Sequence, residues 1–170
     1  MPDTVLVAYG TTNGSTARIA EAVADALRRG GITAEALPAA SVASVAPYGA
    51  VVVGGALYKG RWHRDARRFV HRHRGDLARR PLWFFSSGPL DSSASERDIP
   101  PVPGVRRAMA RLDTREHRTF GGCLEEGATG RVARMMLNSG MAGDFRDFPR
   151  IHEWAVRIAG ELVSRREGTG

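Results

Sequence analysis

Two hydrophobic patterns alternate along this chain. Short unbroken runs of aliphatic and β-branched residues predict strands, and the segments between them carry apolar residues three or four apart, the spacing of a helix buried on one face. Thr4 to Tyr9 predicts a first strand, and Ile19, Val23 and Leu27 the helix after it. Arg28 and Arg29 suit the negative end of that helix, and Gly30 and Gly31 stop it. A strand near Ile32 to Leu37 and a weakly patterned helix follow. Ala50 to Gly54 lacks the two-residue period of a half-exposed strand, which predicts a central parallel strand buried on both faces.

Downstream, Trp62, Ala66, Phe69, Val70 and Leu77 predict an amphipathic helix, and Leu82 to Ser86 a fourth strand. Val105, Ala108, Met109 and Leu112 mark another helix, and Thr119 to Leu124 a fifth strand. Ile151, Trp154, Ala155, Ile158 and Leu162 form the inward stripe of the last helix, with Asp147 and Pro149 as its start signals. Strands alternating with helices predict an α/β fold: a doubly wound, five-stranded parallel sheet in a three-layer sandwich. Neither a linker nor an internal repeat divides residues 1–170, so one domain is expected. In such sheets ligands sit outside the carboxyl ends of the strands at the switch point, which directs attention to the loops after strands one, three and four.

Composition narrows the function classes. The 42% hydrophobic content of the 170 residues is enough for a core of helices on a sheet. The longest apolar or small-residue run, Gly49 to Tyr58, is too short to span a bilayer, and the N-terminus lacks the pattern of a secretory signal. Cys123 is the single cysteine, which excludes an internal disulfide and a cysteine zinc cluster; lying in a predicted buried strand, it is expected to be inert core. His71 and His73 fall on opposite sides of a helix and the other histidines are scattered, so no metal site is expected. A cytoplasmic location follows as the simplest expectation.

The net charge of +7 is almost wholly arginine, Lys59 being the only lysine. The arginines are spread along the chain without a helix-turn-helix, zinc-finger or RNP pattern, so specific nucleic-acid binding is not expected. The densest stretch, Arg61 to Arg80, leaves two readings open: a solvated helix face, or a patch for an anionic substrate, an acidic partner or anionic lipid.

The chemistry concentrates after the first strand, in Gly10-Thr11-Thr12-Asn13-Gly14-Ser15-Thr16. A helix start offers N–H groups without intrahelical partners and a positive dipole end, Gly14 permits close backbone approach, and the hydroxyls donate without adding charge: the chemistry of a phosphate site. An ordinary capped turn is the alternative, because Ser and Thr are good N-caps. A Walker A loop is excluded by the spacing of Gly10 and Gly14 and by Ser15 where lysine is needed. G-x-G-x-x-G is absent as well, and the acidic residues of a receiver domain are replaced by Gly10-Thr11 and Gly54-Gly55.

The run GTTNGST followed by ARIAEAVADAL is similar to the phosphate loop of the flavodoxin family. Likeness continues through Val51 to His63, the strand Leu82 to Ser87 closed by Gly88-Pro89-Leu90, and Gly143 to Leu162, and it most resembles the subfamily that includes the menaquinone-dependent protoporphyrinogen oxidases. The resemblance implies a flavodoxin-like strand order 2-1-3-4-5 and FMN as cofactor. Thr11, Thr12, Asn13, Gly14, Ser15 and Thr16 would hold the phosphate. Ala56, Leu57, Tyr58, Lys59 and Gly60 would flank the isoalloxazine together with Ser87, Gly88, Pro89 and Leu90. Tyr58, placed in a loop, and Trp62 are the aromatic candidates for stacking, although Trp62 reads equally well as a core anchor.

The subfamily also implies an insertion at about 125–148, facing substrate or membrane. Here Val132, Met135, Met136, Leu137 and Met141 lie beside Arg131 and Arg134, in keeping either with a helix packed on its own domain or with contact to a quinone-bearing membrane. The activity implied is that of an FMN-dependent oxidoreductase, protoporphyrinogen-oxidase-like with quinone as acceptor. Arg61 and His63 are the candidates for orienting an anionic substrate such as a porphyrin carboxylate. A non-enzymatic electron carrier for an acidic redox partner, and a binding module without FMN, are the alternatives. Cations near the ring favour reduced, more negative flavin, so the basic charge predicts a better electron acceptor than an acidic flavodoxin.

Overall fold

The computed structural model describes residues 4–12, 14–88, 93–124, 143–144 and 146–168. Strand β1 (Val5–Gly10) lies between β2 (Ala34–Pro38) and β3 (Ala50–Tyr58), and the sheet continues through β5 (Leu82–Ser87) to β6 (Glu116–Phe120), all parallel. These long strands stand in the expected order. A short strand, β4 (Arg61–Trp62), adds a sixth, pairing antiparallel with the end of β3.

Both faces of β1 and β3 are covered, which is why their sequences carry no two-residue period. Val5, Val7 and Val52 pack with Trp83 and Phe85 beneath α1 (Ser15–Arg29) and the C-terminal helix α6 (Phe148–Gly168). Leu6, Val51, Val53 and Phe84 face α2 (Arg64–Arg72) and α5 (Pro103–Leu112) on the other side. α3 (Arg74–Leu77) and α4 (Ser93–Glu96) are single turns. The predicted stripes of α1 and α6 are the buried ones, and Asp147 caps α6 by accepting the Arg150 N–H at 3.2 Å.

Several sequence expectations are corrected. The helix predicted after β2 is a 3₁₀ turn, Ala39–Ser41, bounded by Pro38. The long helix predicted from Trp62 begins only at Arg64, and it breaks at His73, which is buried against Phe69. Trp62 belongs to β4. β3 runs on to Tyr58, and Lys59 and Gly60 turn it back into β4 with φ of 49° and 74°, the paired left-handed conformation of a two-residue hairpin. Ala56, Leu57 and Tyr58 are therefore strand residues, not loop.

The fifth strand starts at Glu116, three residues before the expected position, and ends at Phe120. Its polar start hid it from a hydrophobicity reading; Glu116 is held by Arg118 Nε at 2.7 Å and Trp154 Nε1 at 3.1 Å. Beyond Gly121 and Gly122, Cys123–Leu124 (β7) pairs antiparallel with Gly143–Asp144 (β8) in a separate small sheet. Cys123 is partly exposed there and is not a core residue. Most of the 125–148 segment, with its methionines and arginines, lies outside the described residues. No described helix is long and apolar enough to cross a membrane.

Candidate functional site

The carboxyl ends of β1, β3 and β5 converge on the loop after β1. A side chain at Gly10 would place its Cβ 2.8 Å from the Ala66 backbone nitrogen and 3.2 Å from His63 Nδ1, so glycine is what lets the start of α2 close against the end of β1. Thr11 Oγ1 then accepts the Gly14 N–H at 3.2 Å. Gly14 itself is the N-cap of α1, in the left-handed region at φ 83°, and among the described residues no side chain caps the first turn. That outcome departs from an ordinary Ser/Thr-capped turn and leaves the first N–H groups of α1 to a ligand. Thr16 is fully buried in that first turn, and its hydroxyl has no partner among the described residues. A buried orphan hydroxyl beside an uncapped helix start has the donor set that an anion satisfies.

His63 ties this loop to α2. As N-cap of α2, its Nδ1 accepts the Asp65 backbone N–H at 3.1 Å, which places the ring proton on Nε2. Nε2 sits 3.0 Å from Thr12 Oγ1, so it donates to Thr12 and leaves that hydroxyl proton available to point elsewhere. Burial lowers the pKa of His63, with Asp65 opposing and Arg64 and Arg67 reinforcing the shift, so the ring stays neutral near pH 7. His63 thus contacts the loop after β1 through Thr12, a pairing the sequence did not reveal. Tyr58 stands over His63 with ring centroids 6.0 Å apart, and Arg61 is directly across the hairpin from Tyr58.

The second predicted segment meets the first at Gly88, where an added Cβ would lie 2.8 Å from Leu57 Cβ. Ser87 is buried with its hydroxyl unpartnered among the described residues, a second such donor at the same sheet end. Ala56 is buried, Leu57 and Tyr58 are half-buried, and Lys59 and Gly60 are exposed. Asn13, Pro89 and Leu90 lie outside the described residues.

Below the rim, a polar relay crosses three strands. Trp62 Nε1 donates to Ser86 Oγ at 2.8 Å, and Ser86 Oγ shares a second hydrogen bond with His117 Nε2, also at 2.8 Å. His117 Nδ1 is buried without a partner among the described residues, and burial pushes the pKa of the ring down to about 4. With its ring edge also on Phe84 at 4.8 Å, Trp62 is the core anchor and not an exposed stacking surface. Nothing in the spacing of Trp62, Ser86 and His117 signals this contact; only the polar start of β6 hints that its side chains have partners.

A family model described as a flavodoxin domain matches residues 6–147. The chain belongs to this flavodoxin family. No curated protein sequence matches the chain. Among solved structures, a flavodoxin from the domain Archaea is 12% identical, with a TM-score of 0.62 over 94% of this chain and 98% of its own. A flavodoxin from Pseudomonas aeruginosa, solved as a cysteine-to-serine mutant, is 19% identical, with a TM-score of 0.59 and the same coverage of each. Rubredoxin:oxygen oxidoreductase from the anaerobe Desulfovibrio gigas is 13% identical at a TM-score of 0.64; the match covers 96% of this chain but only 37% of that one.

The cofactor of this flavodoxin domain is FMN. Its phosphate fits the uncapped α1 start with the Thr11, Thr12, Ser15 and Thr16 hydroxyls, which together supply donors and no fixed charge. The β3–β4 hairpin and the Ser87–Gly88 edge are the segments expected to flank the ring, and they meet where Gly88 packs against Leu57.

Proposed function

We propose that this flavodoxin domain is an FMN-dependent oxidoreductase of protoporphyrinogen-oxidase type, taking electrons from an anionic organic substrate and passing them to a quinone. When bound, FMN supplies the redox chemistry. The protein's own groups bind the phosphate, orient the ring and set the local potential.

One observation carries the reading: the hairpin beside the proposed ring site presents Lys59 and Arg61, both exposed, and Arg61 makes no ion pair with a described residue. Positive charge here attracts an anionic substrate and favours uptake of electrons by the flavin. His63, held neutral and directed at Thr12, supports the phosphate end as a positioning residue for cofactor binding.

FMN titration followed by anaerobic assay with protoporphyrinogen and a soluble menaquinone analogue tests the proposal. Turnover that falls in Arg61→Ala with unchanged FMN affinity supports it. FMN uptake with no turnover sinks it and leaves the second reading, an electron carrier, favoured by the full-length match to stand-alone flavodoxins. Steep loss of coupling to an acidic redox protein with added salt would mark that carrier.

A further inference from the structure

We propose that the cleft between α2 and α5 is a binding site for a small amphipathic polyanion, an apolar body bearing two or more carboxylates. The proposal deepens the reading above by giving the anionic substrate a place; it rests on that reading for any redox role, though not for the binding itself.

The cleft has a volume of about 730 Å³, within the range of small-molecule sites. Arg61, Arg67, Arg74, Arg107 and Arg111 all line it, all are exposed, and none of the described lining residues is acidic. Two of these side chains are tethered in place: Arg67 Nε donates to the Trp62 carbonyl at 3.0 Å, and an Arg74 terminal nitrogen donates to the His71 carbonyl at 2.8 Å. Each tether uses one guanidinium nitrogen and leaves other donors for a carboxylate. Arg61, Arg107 and Arg111 have no hydrogen bond or ion pair to another described side chain.

Between the arginines the surface is apolar, formed by Trp62, Val70, Val105 and Leu112. Five like charges around an apolar floor repel one another, and an entering anion relieves that repulsion while covering the floor. Paired guanidinium donors suit carboxylates in two-point contact, which favours a ligand with several of them. The size of the cleft argues for a small molecule over a protein segment, since a stable protein contact needs about 800 Å² on each partner. Gly60 and Arg61 belong both to this cleft and to the hairpin beside the proposed flavin ring, so a ligand seated here reaches toward the redox site.

The contrast with another large depression is informative. The groove of about 880 Å³ between β6 and α6 also holds several arginines, but Glu96, Asp98 and Glu153 line it with them. Its cations are matched by anions of the same chain; those of the α2–α5 cleft are not.

The test uses the FMN-loaded full chain with mesoporphyrin IX, an aromatic dicarboxylate that is not a substrate for the oxidation, followed by quenching of tryptophan fluorescence. Saturable one-to-one binding is expected, weakened at least ~10-fold in the double variant Arg107→Gln/Arg111→Gln and partly restored in Arg107→Lys/Arg111→Lys, with FMN affinity unchanged throughout. Equal binding to the glutamine variant, equal binding of the uncharged dimethyl ester, or displacement of the probe by excess FMN would each overturn the proposal. Preferential binding of an acidic peptide over the porphyrin would also overturn it, marking a partner surface instead. If the chain fails to take up FMN yet still binds the dicarboxylate through these arginines, the function proposed above falls and the cleft stands.

Discussion

Two arginine-rich regions of this molecule have opposite chemistry. On the β6–α6 side, Arg118, Arg150 and Arg157 converge on Asp98 and Glu116. Glu116 receives Arg118 Nε at 2.7 Å and Arg157 at 3.4 Å, and Asp98 receives Arg150 at 3.0 Å. Hydrogen bonding from Arg118 is the main reason the Asp98 carboxyl is held below the usual carboxylate range. Around the start of α1 and the α2–α5 cleft, by contrast, the buried hydroxyls of Thr16 and Ser87 have no partner among the described residues, and no described acid lines the arginine cleft. One composition produced both regions. What separates them is whether acceptors of the same chain lie within reach, so donors without internal acceptors locate a ligand where net charge cannot.

The largest effect that separates structural from binding groups is set by pH. His117, half-buried on β6, is neutral when folded near pH 7 because desolvation pushes its pKa from the ordinary 6.5 to about 4. With the folded value depressed, the unfolded chain binds the proton first as pH falls. The stabilisation is full above pH 6.5 and is lost progressively toward pH 4, by ~3 kcal/mol. His63 and His73, both lowered by burial, act in the same direction below 6.5. Urea unfolding at pH 7, 5 and 4 measures the slope, and a His117→Phe variant should flatten most of it; an unchanged slope in that variant would refute the assignment.

Next in size is the orphan hydroxyl. Thr16→Val keeps the shape and removes the donor, so FMN affinity should fall about 10-fold, equivalent to one hydrogen bond to a charged group, while the urea midpoint holds or rises. Loss of stability with unaltered FMN binding would move Thr16 to the structural side of the comparison.

On the self-satisfied side, Arg118→Gln is expected to cost about 1 kcal/mol, because it leaves Glu116 and Asp98 with fewer donors at a partly exposed site. Its FMN affinity should match that of the parent, as thermal melts with and without FMN would establish. Smallest of all, Arg107→Gln removes the same charge from the cleft side and should change stability by no more than about 0.5 kcal/mol. If both arginine variants destabilise equally, the distinction between the two regions fails.

What the sequence determined is what local physics controls. Unbroken apolar runs marked both-face burial in β1 and β3, helical spacing marked the buried stripes of α1 and α6, and Gly10 to Thr16 marked a hydroxyl-rich turn between a strand and a helix. Each of these signals lies within one element or one turn. Tertiary structure alone decided the rest. Thr12 meets His63 across 51 positions of sequence, Trp62 leaves its predicted helix to bond Ser86, and Ser86 reaches His117 on a strand whose polar start concealed it. Arg107 and Arg111 come to face Arg67 only because α2 and α5 pack on the same side of the sheet. Periodicity records which face of an element avoids water, but the partner that a polar side chain finds depends on strand order and on how closely glycine lets neighbouring elements approach.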